Sequence, residues 1–166
     1  MNILFVCHGN ICRSVMAEMI MKQLIQTADD SKTAALSEPR YKIQDWVIDS
    51  CATSTEEIGN DIYPPAKRCL TAHGVPFTRH YARQITREDY DRFDFILCME
   101  RYNIRNLRYV LGADLMDADA RRSEPKIRLL LDRDVADPWY TGDFETTYND
   151  LVEGIEKLNT CLILSS

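Results

Sequence analysis

The sequence predicts an α/β fold in which a mostly parallel sheet is flanked by helices. Short, continuous apolar runs, typical of strands buried on both faces, alternate with segments whose apolar residues recur at helical spacing. The chain has 166 residues, of which 45% are hydrophobic. That length and composition suit one domain, residues 1–166, with a sizeable core.

The first strand is predicted at Ile3–Val6, and Gly9 and Asn10 break it. Apolar residues from Val15 to Ile25 then recur at helical spacing, and the polar stretch 29–44 is predicted to be a loop. The later elements are a strand at Trp46–Asp49, a helix from Pro64 to about Gly74, a strand at Phe93–Met99, a helix at Tyr102–Leu111 and a closing helix from Phe144 to Leu162. Residues 113–136 are charged and irregular, and we expect at most one short strand or helix there.

Composition excludes several classes of protein. A net charge of −6 argues against a general nucleic-acid or membrane-surface binder, although it leaves room for a local anion site. No apolar run approaches the ~20 residues of a membrane span, and the N-terminus lacks the features of a signal peptide. The six cysteines include no Cys-X-X-Cys pair, which gives a structural zinc site little support. A reduced, cytoplasmic protein is the expectation.

The segment from Cys7 to Ser14 joins the first strand to the first helix. Backbone N–H groups at a helix N-terminus attract anions, and Gly9 and Asn10 tolerate the left-handed backbone of an anion-binding loop. Arg13 adds a planar donor that matches phosphate. In this field the Cys7 thiol should lose its proton easily and act as a nucleophile beneath a bound phosphate, while Ser14 donates a hydrogen bond to the sulfur. A lone cysteine at a strand end is usually a core residue, but the complete spacing favours the functional interpretation.

Here the sequence resembles a known family, the low-molecular-weight protein tyrosine phosphatases. Their signature is Cys-X-Gly-Asn-X-Cys-Arg-Ser, and residues 7–14 match it at every fixed position. Segments 50–60, 82–86, 93–100 and 137–140 also resemble family blocks in the family order, whereas stretches 29–44 and 113–130 match poorly. The resemblance implies a three-layer sandwich with a four-stranded parallel sheet and a phosphate-binding loop after strand 1. It also implies Asp137 as general acid and then base, with Arg13 and the loop amides, including those of Ile11 and its neighbours, on the phosphate.

The resemblance assigns further residues to the substrate cleft. Trp139 and Tyr140 would form an aromatic wall, and His8 would contact the substrate. The opposite rim carries Glu56, followed by Glu57, where family members have an aromatic residue, and this acidic rim should disfavour acidic peptides. In the family the cysteine at the position of Cys12 forms a reversible, protective disulfide with the nucleophile.

His80 and Glu100 lie in family blocks near the site, and Asn10 resembles the residue that braces the loop. The mechanism requires no metal and no cofactor. The expected partner is a phosphotyrosine-containing protein, and the expected assembly is a monomer or weak dimer.

Three alternatives remain at this point. Arsenate reductases share the loop but relay a disulfide through two further, closely spaced cysteines, whereas Cys69 and Cys98 are far apart. Arginine phosphatases carry a threonine where this chain has Ile11, whose apolar surface favours an aromatic ring. A phosphate-binding module without turnover would be expected to lose Cys7 or Asp137, and both are present.

Overall fold

Four parallel strands form the central sheet. The computed structural model describes residues 1–32 and 46–164, with side chains for 1–27 and 46–158. The elements in chain order are β1 (Asn2–Cys7), α1 (Arg13–Lys32), β2 (Val47–Ala52), α2 (Pro64–Ala72), α3 (Arg87–Arg92), β3 (Phe95–Cys98), α4 (Arg101–Leu111), α5 (Ala113–Ala120), β4 (Ile127–Leu129), α6 (Pro138–Thr141) and α7 (Phe144–Leu164). The strands lie in the order β2-β1-β3-β4, and every pairing is parallel. The predicted fold is therefore confirmed.

Both faces of the sheet are buried, as the continuous apolar runs predict. Along β1, Ile3 and Phe5 face a core that α1, α2 and α7 complete. Leu4 and Val6 face a second core, to which α4 and α5 contribute. Helices therefore cover the sheet on both sides and make the three layers.

Residues 113–136 are more regular than their charge pattern predicts. They contain both α5 and β4, and β4 extends the sheet by pairing with β3. Asp119 is buried and accepts hydrogen bonds from the Tyr90 hydroxyl and from the backbone N–H groups of Lys126 and Ile127. In the sequence Asp119 looks like a surface charge, but in the structure its carboxylate holds the backbone at the start of β4.

Other differences concern short elements and boundaries. Helices α3 and α6 were not predicted, because six and four residues are too few to show a helical period. The strand predicted at Phe93–Met99 is shorter, since Phe93 is the C-cap of α3. Of the predicted loop 29–44, residues 29–32 continue α1, and residues 33–44 lie outside the described residues.

The carboxyl end of β1 positions the candidate site. Cys7 is the last residue of β1, the central strand between β2 and β3, and α1 begins at Arg13 after a five-residue loop. Ligands of open parallel sheets bind beyond the carboxyl ends of the strands. Among the described residues, no helix is both long and apolar enough to cross a membrane.

Candidate active site

A cavity of about 430 Å³ opens where β1 ends. It is lined by Cys7, His8, Gly9, Asn10, Ile11, Cys12, Arg13, Glu56, Glu57, Glu100, Tyr102, Asp137, Trp139 and Tyr140. All of the predicted site residues are in this set except Ser14, whose Oγ lies behind the cavity, 3.0 Å from the Cys7 Sγ. The structure thus brings together residues from both ends of the chain.

The backbone of the loop turns its carbonyls outward. The carbonyl oxygens of Cys7 and His8 accept hydrogen bonds from the N–H groups of Thr53 and Ser54, at 2.9 and 3.0 Å. Those of Asn10 and Ile11 accept from the His80 Nε2 and the Tyr63 N–H, both at 2.9 Å. In a trans peptide the N–H points opposite to the C=O. The amides of residues 8, 9, 11 and 12 therefore point into the loop, which is the arrangement of an anion-binding nest.

Asn10 holds the loop in shape. It has φ +59°, a left-handed conformation that asparagine tolerates better than most residues. Its Oδ1 accepts from the backbone N–H of Arg83 and from the His80 Nε2, and its Nδ2 donates to the hydroxyls of Ser14 and Ser50. Every hydrogen-bonding site of this fully buried amide is thus used, so its conformation is strongly fixed.

These contacts also set the direction of the hydroxyl beside the sulfur. Because Ser14 Oγ accepts from Asn10, its own hydrogen is free to point at the Cys7 Sγ, 3.0 Å away. The Asn10 backbone N–H also donates to that sulfur, at 3.2 Å. Behind Asn10, the Ser50 hydroxyl donates to the buried Glu18 carboxylate. The Cys7 sulfur therefore lies within hydrogen-bond distance of two donors, the Ser14 hydroxyl and the Asn10 N–H.

His80 supports the loop as a neutral ring. Its Nε2 must carry a hydrogen, because both of its partners, the Asn10 carbonyl and Oδ1, are acceptors. Burial lowers the pKa of His80 below its usual range, which keeps the imidazole uncharged. The sequence left its role open, and the structure places it on the loop backbone.

Arg13 is the charged centre of the cavity. Its Nη2 donates to Glu100 Oε1 at 2.8 Å and to Asp137 Oδ2 at 2.7 Å. Its Nη1 is buried and has no hydrogen-bond partner among the described residues. Burial opposes the charge, but the neighbouring Cys7, Glu100 and Asp137 outweigh it and raise the pKa of the guanidinium. An unpartnered buried donor beside inward-pointing amides suits a phosphate oxygen.

Gly9 serves a different purpose from the one predicted. Unlike Asn10, it does not adopt a left-handed conformation. A Cβ at this position would lie 3.2 Å from the Glu57 Cγ, so glycine leaves room for the side chain of Glu57.

His8, which was predicted to contact the substrate, pairs with Glu56 at the rim. Its Nε2 lies 2.9 Å from the Glu56 Oε2.

Aromatic side chains form another part of the cavity lining. Asp137 is the N-cap of α6, where its Oδ1 accepts from the Trp139 N–H, and this turn carries Trp139 and Tyr140. Trp139 packs against Tyr63 with ring centroids 5.2 Å apart, whereas Tyr140 is 86% exposed. Tyr102, which the sequence analysis missed, also lines the cavity. It follows the family block 93–100 and had no motif to mark it.

The cysteines differ sharply in environment. Burial, followed by the nearby charges of Cys7 and Asp137, raises the pKa of Cys12 to about 12, so that thiol is neutral at physiological pH. Cys51 and Cys98 are fully buried in β2 and β3. The Cys161 side chain lies outside the described residues.

A cysteine-centred anion loop at the carboxyl end of a parallel strand, faced by an arginine and a carboxylate, is the arrangement expected of a cysteine-dependent phosphatase with an α/β fold. The chain belongs to the low molecular weight phosphotyrosine protein phosphatase family, whose model matches residues 2–164. The family predicted from residues 7–14 is thus confirmed.

Individual relatives and solved structures resemble this chain over most of its length. A Pongo abelii protein named low molecular weight phosphotyrosine protein phosphatase is 38% identical over 159 residues, covering 91% of this chain and 89% of that protein. The crystal structure of Bacillus subtilis YfkJ has a TM-score of 0.79 at 32% identity and covers 100% of this chain and 96% of that one. The crystal structure of a Drosophila arginine phosphatase has a TM-score of 0.74 at 27% identity, covering 98% of each chain.

Proposed function

We propose that the protein hydrolyses phosphotyrosine in protein substrates, and small aryl phosphates, through a phosphocysteine intermediate on Cys7. The observation that carries the proposal is the placement of the Cys7 sulfur among inward-pointing amides, beside a buried Arg13 Nη1 without a partner among the described residues. This arrangement holds the three equatorial oxygens of a phosphoryl group above a nucleophile.

In the first step the Cys7 thiolate attacks phosphorus in line with the ester oxygen. The S–P bond forms as the P–O bond to the phenol breaks, and the Asp137 carboxyl gives its proton to the leaving oxygen. Arg13 and the loop amides stabilise the charge on the phosphoryl oxygens. In this structure Asp137 shares the guanidinium of Arg13, so a bound phosphate competes with Asp137 for that cation.

In the second step the Asp137 carboxylate takes a proton from water, and the water oxygen attacks phosphorus. The S–P bond breaks, inorganic phosphate is released and Cys7 leaves as a thiolate. The hydroxyl of Ser14, which points its hydrogen at the sulfur, stabilises that leaving group.

The shape of the cavity supports an aromatic ester. Ile11 adds apolar surface to the lining of the cavity, and Trp139 and Tyr140 add flat aromatic rings. A phenyl ring inserted between them gains contact area on both faces.

The experiment is a comparison of turnover of phosphotyrosine, phosphoarginine and phosphoserine peptides, with arsenate reduction as a control. We expect phosphotyrosine to be hydrolysed at least tenfold faster than the other two peptides, and no arsenate reduction. A preference for phosphoarginine or phosphoserine would defeat the proposed substrate class while leaving the cysteine mechanism intact.

The nucleophile is tested separately with Cys7→Ser. We expect turnover to fall by more than ~10³-fold, with the circular dichroism spectrum and the binding of inorganic phosphate retained. Alkylation of the wild type by iodoacetamide at pH 7 should modify Cys7 and spare Cys12, whose thiol stays protonated. Wild-type turnover by Cys7→Ser would refute the mechanism whatever the substrate.

A further inference from the structure

A second cluster of reactive side chains lies between α2 and α7. Cys69, His73 and Glu145 offer a thiol, an imidazole and a carboxylate whose ligand atoms all lie within 4.8 Å of one another. None of them lines the active-site cavity. Cys69 and His73 are one helical turn apart and share a face of the α2 end, whereas Glu145 comes from the first turn of α7.

The three ligand atoms are close enough together for one ion to reach all of them after small movements. The His73 Nε2 lies 3.0 and 2.9 Å from the two Glu145 oxygens. Metal bonds of roughly 2.0–2.3 Å to nitrogen, oxygen and sulfur place ligand atoms about 3.3–3.8 Å apart. Closing the cluster onto an ion therefore requires shifts within the reach of side-chain torsions.

Two further features hold the orientation of the ligands and give solvent access to the cluster. The His73 ring stacks on Tyr148, with centroids 3.7 Å apart and planes 11° from parallel, which holds the imidazole orientation. Cys69 is buried and its thiol donates to the Phe144 carbonyl at 3.5 Å, whereas Glu145 is exposed. An ion can therefore reach the site from solvent by way of Glu145, and water would supply the fourth ligand.

We propose that Cys69, His73 and Glu145 form a binding site for a zinc-class divalent cation. Thiolate and imidazole select Zn²⁺ over Mg²⁺ or Ca²⁺, which prefer oxygen ligands. On binding, the Cys69 thiol releases its proton to solvent and exchanges its hydrogen bond for a metal bond. The bound ion joins α2 to the start of α7. Glu145 is 72 residues from His73, so no sequence motif marks this site.

The test is a metal titration of the full chain carrying Cys7→Ser and Cys12→Ser, which removes the loop thiols as competing ligands. Co²⁺ should bind with one equivalent and produce a thiolate-to-cobalt charge-transfer band, and Zn²⁺ should displace it. Zn²⁺ should also raise Tm, because it binds the folded chain across two helices. In the same background, Cys69→Ser should abolish the band, and His73→Gln and Glu145→Gln should each weaken Zn²⁺ binding at least tenfold.

His8→Gln is the matched control, because it removes another exposed histidine–carboxylate pair and should leave Zn²⁺ affinity unchanged. Circular dichroism establishes that each variant is folded. If Cys69→Ser fails to fold, the more exposed His73→Gln and Glu145→Gln variants decide. The proposal is overturned if no saturable one-equivalent binding occurs, if a folded Cys69→Ser keeps the band, or if neither His73→Gln nor Glu145→Gln weakens binding.

Discussion

The floor and the rim of the cavity are built in opposite ways. The floor, residues 7–14, is buried apart from the partly exposed His8 and Gly9. Within it, Asn10, Arg13 and Ser14 are each hydrogen-bonded to side chains of other elements or of the loop itself. The rim, which consists of Glu56, Glu57, Tyr102, Trp139 and Tyr140, is largely exposed. This difference indicates that catalysis depends on the floor and substrate choice on the rim. A floor held by buried hydrogen bonds fixes the reacting atoms and leaves the Arg13 Nη1 available to a ligand. An exposed rim can change without disturbing the floor, so we expect it to set the choice of substrate.

Asp137 carries the largest expected effect and connects the two regions, since it touches Arg13 in the floor and caps the helix of the rim. Asp137→Ala should lower kcat by ~10²–10⁴-fold for aryl phosphates with poor leaving groups, and less for good ones, because only poor ones need the proton. A series of substituted phenyl phosphates measures this dependence.

Asp137→Asn is the matched control for that experiment. It keeps an oxygen to accept the Trp139 N–H but has no proton to give, so it should resemble Asp137→Ala. Equal slowing for every leaving group, or near wild-type rates with Asp137→Asn, would mean that this residue acts through the structure of the rim rather than as an acid.

Asn10→Asp tests the floor alone. The substitution preserves size and tolerance for positive φ but removes the donor to Ser14 and Ser50. We expect kcat to fall about 10–100-fold, and the free energy of unfolding to fall by about 2–3 kcal/mol, because buried partners lose hydrogen bonds. Steady-state kinetics and urea unfolding measure the two effects. An unchanged kcat with reduced stability would show that the loop does not need this brace for turnover.

The contrast between floor and rim also explains what the sequence could predict. The loop is contiguous, so the spacing from Cys7 to Ser14 and the neighbouring apolar runs sufficed to locate the anion site and the parallel sheet. Gly9 was predicted to adopt a left-handed backbone, and it does not. A glycine that makes room for a neighbouring side chain cannot be told, from sequence, from one that allows a turn.

The resemblance pointed to Asn10 as a brace of the loop and to His80 near the site, but the sequence did not show which residues hold Asn10. Asn10 is braced by Ser50, His80 and Arg83, which lie 40, 70 and 73 positions away. Only the tertiary fold brings such residues together. Asp119 was missed for the same reason, since its burial depends on partners in α3 and β4.

Asp61 supports the floor indirectly, through the backbone of His80, and its replacement should have a smaller effect on stability. Its carboxylate binds Lys67 and the backbone N–H of His80, and these bonds lower its pKa to about 2. Because the folded pKa is below the unfolded one, the stabilisation is complete above about pH 4 and is lost as the pH falls through about 2. Asp61→Asn should cost about 1 kcal/mol at pH 7, since the pair is partly exposed, and the deficit should shrink between pH 4 and 2. Urea unfolding across that range measures it, and a pH-independent deficit would contradict the assignment.

Glu56 tests the rim and carries the smallest expected effect. Its side chain is 69% exposed and pairs with His8 at the mouth of the cavity, so its charge acts on residues that flank the phosphotyrosine. Glu56→Gln should raise the ratio of kcat/KM for acidic peptides over basic peptides about two- to fivefold at low ionic strength, and salt should erase the difference by screening. Glu124→Gln removes an equal charge from an exposed residue that does not line the cavity, and it should leave the ratio unchanged. If both variants shift the ratio equally, the net charge of the protein rather than Glu56 selects the peptide. That result would contradict the assignment of substrate choice to the rim.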